Sequence, residues 1–138
     1  MRNWLLPSLM EFLSHNIHVE YPQRIFEVGK CVIFDDESEN KTRDLEKLAY
    51  VIIHSNANFT EAKAVLDAVL LNLGVKYVLE EAKHGSFIEG RVGEIIVNDE
   101  NIGLIGEIQP KVLENWKLEN PASALEITLD KVGKLSII

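Results

Sequence analysis

The chain has a single cysteine, Cys31, so no internal disulfide staples it. A domain of 138 residues buries enough surface to stand without one, and a lone thiol suits a reducing compartment. Lying in "GKCVIF", Cys31 reads as a small buried hydrophobe, not a nucleophile. Long apolar runs are also missing. None approaches the ~18 residues that a membrane helix requires. The apolar patch after Arg2 is followed by no small-residue cleavage site, which argues against a signal peptide.

Basic charge is scarce as well. Fourteen Lys and Arg stand against 22 Asp and Glu, a formal charge of −8, with no basic stripe interleaved with aromatics. Proteins that grip nucleic acid alone draw most of their affinity from neutralised phosphates, so autonomous binding of RNA or DNA is not expected. The four histidines show no His-x₃-His or Cys-paired spacing, and no metal site is read from them. The acidic run Asp35, Asp36, Glu37, Glu39 lacks the glycine and closing glutamate of a calcium loop, and reads as a solvated connection. Ser86, beside His84, lacks the G-x-S-x-G frame that would present a nucleophile.

What is present is a sequence of well-marked elements. Leu6, Leu9, Met10, Leu13 and Ile17 fall on one face of a helix over 5–17, with Pro7 in its first turn. "RIFEVGKCVIF" reads as a strand, "DDESENKTRD" as a polar loop, and "LEKLAYVIIHS" as a second strand. In "NFTEAKAVLDAVLLNLG" the residues at 62, 65, 66, 69, 70 and 73 form an apolar stripe. Asn58 with Glu61 makes a capping box, and Gly74 ends the helix. Strands follow at "VKYVLEE", "GRVGEIIVN" and "NIGLIGEI". Pro110 opens a short helix, and "SALEITLDKV" reads as a last, half-buried strand. Strands joined by short turns and interleaved with helices give a single α+β domain over 1–138, an antiparallel sheet flanked by helices.

Five of the eight glycines lie between His84 and Pro110. They do not form G-x-G-x-x-G, and no helix follows to present its N-terminus to a phosphate. Asn98 to Asn101 is a natural hairpin tip, and Gly93, Gly103 and Gly106 read as close packing of strands against a helix or a neighbouring chain.

The order of "MRNWLLPSLMEFLSHN", "YPQRIFEVGKCV", "FTEAKAVLDAVLLNLG", "SFIEGRVGEIIV" and "IGLIGEIQPKVLENWKLE" resembles the C-terminal catalytic-like domain of the phenylalanyl-tRNA synthetase beta subunit of archaeal and eukaryotic type. Gly85 and Gln109 depart from the proline and histidine common there. The resemblance implies a class II aminoacyl-tRNA synthetase fold, and a piece of a longer, cytoplasmic subunit. It also implies a partner, the alpha subunit, in an alpha2beta2 assembly that meets tRNA only as the intact enzyme. Active class II enzymes carry an aromatic-Arg-x-acid signature whose arginine binds the ATP α-phosphate. On this sequence the signature falls on Val32 to Asp35, and Ile33 takes the arginine's place. A second arginine expected in "SALEITLDKVGK" is missing, Arg91 being the last in the chain. Such chemistry depends on placed positive charge. The expectation is therefore a domain with no catalytic residue, cofactor or metal of its own, while ATP and magnesium serve the intact enzyme. The alternatives are a stand-alone paralogue that binds an amino acid or nucleotide, marked by polar residues converging on the sheet face, and a ligase with a rearranged clamp. Trp4 and Phe12, on the first helix, are interface candidates beside the simpler reading of both as core.

Overall fold

A computed structural model describes residues 3–34 and 42–136. The acidic run Asp35 to Glu39 lies outside the described residues. Ten elements follow one another: α1 (Leu6–Ser14), β1 (Gln23–Phe34), β2 (Thr42–Ile53), α2 (Phe59–Asn72), β3 (Val78–Glu81), β4 (Phe87–Val97), β5 (Glu100–Ile108), α3 (Pro110–Asn115), β6 (Ala122–Thr128) and α4 (Leu129–Ser136). The strands make one sheet in the order β1-β2-β6-β5-β4-β3, every pairing antiparallel. The α+β class and the flanking helices agree with the sequence reading.

Alternation along the strands sends side chains to two faces. On one face Cys31, Ala49, Val51, Ile53, Phe87, Val92, Ala122 and Ala124 meet Leu6, Leu9, Met10 and Leu13 of α1. On the other, Tyr50, Ile52, Ile95, Ile105, Leu125 and Ile127 meet Ala62, Leu66 and Leu70 of α2 and Val132 of α4. Each leucine so buried contributes on the order of 1.5–3 kcal/mol, an upper bound because unfolded chains bury some of this surface already.

Four expectations change. The first helix stops at Ser14, where the Asn16 side chain donates to Phe12 O at 2.7 Å, so Ile17 leaves the stripe and is 49% exposed. "SALEITLDKV" is not strand throughout, because β6 ends at Thr128 and α4 begins at Leu129 with Asp130 in its first turn. Nor is β6 half buried. It lies between β2 and β5 with helices over both faces, and all seven of its residues are buried. The capping box is half formed: Asn58 Oδ1 accepts from Glu61 N at 3.1 Å, but the Glu61 carboxylate turns to His54 Nε2, at 2.7 and 2.9 Å.

The hairpin tip is as read, with Asn98 and Asp99 at φ 49° and 65°, both left-handed as a two-residue type I′ turn requires. The glycines pack closely, though against neighbouring strands and not against a helix. A Cβ on Gly103 would stand 2.0 Å from Glu126 O and 2.9 Å from Ile127 Cα. One on Gly106 would stand 2.8 Å from Arg91 O and from a ring carbon of Phe87. Both sit beside breaks in the β4–β5 register, where Gly103 faces the β6 backbone and Gly106 that of β4.

Candidate functional site

β1 and β2 are the antiparallel pair on which the resemblance would place an ATP clamp. Ile33 lies near the end of β1, its backbone opposite Arg43 of β2. Deeper along these strands the face toward α1 is lined by Cys31, Ala49, Val51 and Ile53, all buried. β6 adds Ala122 and Ala124 beside them. Apart from the Cys31 thiol, the side chains at these positions are hydrocarbon. α1 fills the space with Leu9, Met10 and Leu13.

A buried carboxylate stands on this face, and sequence reasoning missed it. Glu126 of β6 is 5% exposed, and its two oxygens each accept from Leu5 N at 2.9 Å while one also accepts from Leu6 N at 2.9 Å. Lys47 Nζ lies 3.6 Å from the carboxylate. Burial pushes the Glu126 carboxyl above the ordinary range, against the opposing pull of the two N–H donors and of Lys47. The signal available in the sequence was the one charged residue of the strand "ASALEIT".

Several other polar side chains are engaged within the chain, while the buried Ser123 hydroxyl has no hydrogen-bond partner. His84 Nδ1 accepts from Ser86 N at 3.1 Å, and its ring lies 5.4 Å from those of Trp4 and Phe87, so His84 and Ser86 build a turn. His15 and His18 are exposed beyond α1, and His54 sits with Glu61 elsewhere. Among the described residues no three metal-ligating side chains gather. Arg91, the last arginine, meets Glu107 Oε1 at 2.9 Å. On α4, Lys131 donates to Asn101 O at 3.0 Å and lies 3.6 Å from Glu100, at the hairpin tip. A cleft of about 620 Å³ opens between the β4 bulge and α3, lined by Ile88, Arg91, Glu107, Leu113, Leu118 and Pro121 among others. Its principal charged pair is Arg91 with Glu107. Of the interface candidates, Trp4 is partly buried against the core, and Phe12 is 51% exposed. No described helix is long and apolar enough to cross a membrane.

Residues 1–129 match the family described as the phenylalanyl tRNA synthetase beta chain CLM domain. A phenylalanine–tRNA ligase beta subunit of Thermococcus kodakarensis is 57% identical over 129 residues, covering 94% of this chain and 22% of that protein. Its counterpart from Thermococcus sibiricus is 57% identical over 138 residues, all of this chain and 25% of the relative. That of Methanocaldococcus jannaschii is 41% identical over 94% of this chain. The chain thus spans about a quarter of the length of the curated relatives it matches. Among solved structures, a pyrrolysyl-tRNA synthetase from Desulfitobacterium hafniense superposes with a TM-score of 0.80 at 16% identity, over 98% of this chain and 49% of that one. At that identity the likeness concerns the fold, which is class II synthetase-like.

Proposed function

Because this chain belongs to the phenylalanyl-tRNA synthetase beta chain CLM domain family, we propose that it works as a non-catalytic scaffold within a phenylalanine–tRNA ligase beta subunit. In this reading it is one domain of a longer cytoplasmic subunit. It supports an alpha subunit in an alpha2beta2 assembly, and that subunit handles ATP, magnesium, phenylalanine and the tRNA acceptor end. The observation that carries the reading is the sheet face under α1. It is filled by Leu9, Met10 and Leu13 over Ala49, Val51, Ala122 and Ala124, and its buried carboxylate, Glu126, is bonded within the chain. Ile33, standing where the resemblance puts an arginine, supports it further, since adenylyl transfer needs fixed positive charge against the developing negative charge.

Isothermal titration of the purified chain with ATP–magnesium, phenylalanine and a phenylalanyl-adenylate analogue, in turn, tests this. The expected result is no binding heat from any, no pyrophosphate exchange, and co-purification with a co-expressed alpha subunit once the remainder of the beta subunit is restored. Saturable binding of one ligand would replace the scaffold with a ligand-binding paralogue, and the cleft between the β4 bulge and α3 would be its first candidate pocket. Pyrophosphate exchange by the isolated chain would restore a catalytic role.

A further inference from the structure

The N-terminus of α1 has an unusual cap. The N-cap residue is Leu5, whose side chain makes no capping bond, and no acidic residue occupies the first turn. The orphan N–H groups of a helix start must nonetheless find partners when buried. Pro7 has none to offer, and Ser8 N donates to Leu5 O at 2.9 Å. The two that remain, Leu5 N and Leu6 N, both go to Glu126, which lies 121 and 120 residues away in sequence, on a central strand of the sheet. Lys47 of β2 touches the same carboxylate at 3.6 Å and donates to Asn3 O at 3.1 Å, so the lead into α1 is tied to the sheet as well. Glu126 is flanked across the sheet by Ala49 and Leu104, neither of which offers a competing donor from its side chain.

We propose that Glu126 is a latch, a hydrogen-bond acceptor raised from the sheet to hold α1 shut across the face where the fold would otherwise be open. α1 is then a closing element fastened at its start by this acceptor, and it opens as a unit more readily when the acceptor is removed, ahead of the strands beneath it. The proposal concerns how the face is kept closed. It stands whether or not the domain proves to be catalytic.

Hydrogen exchange on the chain, read over Leu5 to Leu13 and over Phe87 to Ile108, tests it with three variants. Glu126→Ala removes the acceptor and is expected to speed exchange in Leu5–Leu13 by about tenfold or more, with Phe87–Ile108 little changed. Glu126→Gln keeps one carbonyl oxygen for Leu5 and Leu6 and is expected to retain most of the protection. Sodium formate, which supplies a free carboxylate, is expected to slow exchange in Glu126→Ala again, whereas sodium chloride at the same ionic strength is not. Should Glu126→Ala fail to fold, Glu126→Asp takes its place, because its shortened side chain withdraws the oxygens while keeping the charge. Equal behaviour of the truncated and Gln variants would overturn the latch. So would loss of protection spread evenly over both segments, or restoration by chloride as well as by formate.

Discussion

Glu107 of β5 accepts from Phe59 N, the first residue of α2, at 2.9 Å, although the two are 48 residues apart. Its other oxygen meets Arg91 at 2.9 Å. The acid therefore caps a helix from the sheet, at the positive end of the helix dipole, and the arginine balances its charge.

Removal of this cap is expected to be felt more than removal of its counterion. The Glu107 side chain is 14% exposed and the Arg91 side chain 61%. Glu107→Ala should cost about 1–2 kcal/mol, as lost caps do. Arg91→Ala should stay within about 0.5 kcal/mol, because water screens an exposed partner. Urea midpoints of the two variants decide it. A larger loss from the arginine would mean that the ion pair, and not the cap, holds the bulge to α2.

Two glycines in the same hairpin region should answer alanine in opposite ways. At Gly103 the new methyl would lie 2.0 Å from the Glu126 carbonyl oxygen, so β5 and β6 would have to part, at a cost of about 3 kcal/mol or more. At Gly85 nothing lies within 4 Å, and the change should fall within about 0.5 kcal/mol. Thermal denaturation of the pair gives the comparison.

The charge on Glu126 gives stability a definite slope with pH. Burial raises its carboxyl above the ordinary range, so the folded chain holds this proton more tightly than the unfolded chain does. The contribution of this group is greatest below the ordinary carboxylate value and declines as pH climbs from there through the raised folded value. A protonated carboxyl still offers its carbonyl oxygen to Leu5 and Leu6, so acid does not undo the latch. The difference in unfolding free energy between wild type and Glu126→Gln, followed across that interval, should shift in favour of the glutamine protein as pH rises. A difference independent of pH would mean that Glu126 titrates alike in both states.

Cys31 is 0% exposed, within the cluster under α1. A thiol reagent should modify it at a rate set by opening of that cluster, orders of magnitude slower than the unfolded chain. Prompt stoichiometric labelling of native protein would show that α1 does not seal the face.

Much of this architecture was legible because it is local. The α2 stripe, the Asn58 cap, Gly74 at φ 72° and the Asn98–Asp99 tip each rest on a few neighbouring residues. What escaped the sequence depends on distant parts. "ALEITLDKV" supports period two through Leu125, Ile127 and Leu129, whereas the helix after Thr128 packs Leu129 and Val132 against the sheet and bonds Asp130 to Glu46 N, contacts with distant residues. The glycines announced a close approach but not its object, since strand register across a bulge is set by both strands. Glu126 and Leu5 meet across nearly the whole chain, and no spacing rule connects them.

The strand order has a consequence for how this domain comes into being. Of the six described strands β6 is the last to be synthesised, yet it is the one that joins β2 to β5. Until it emerges from the ribosome, the nascent chain can form a β1–β2 hairpin and a β3–β4–β5 meander, each with a bare, hydrophobic edge and no bond between them. Both halves must wait for the same seven residues. Those edges are the vulnerable surfaces of a chain still being made, and a chaperone that shields exposed strands during translation would have its work set by how late β6 arrives.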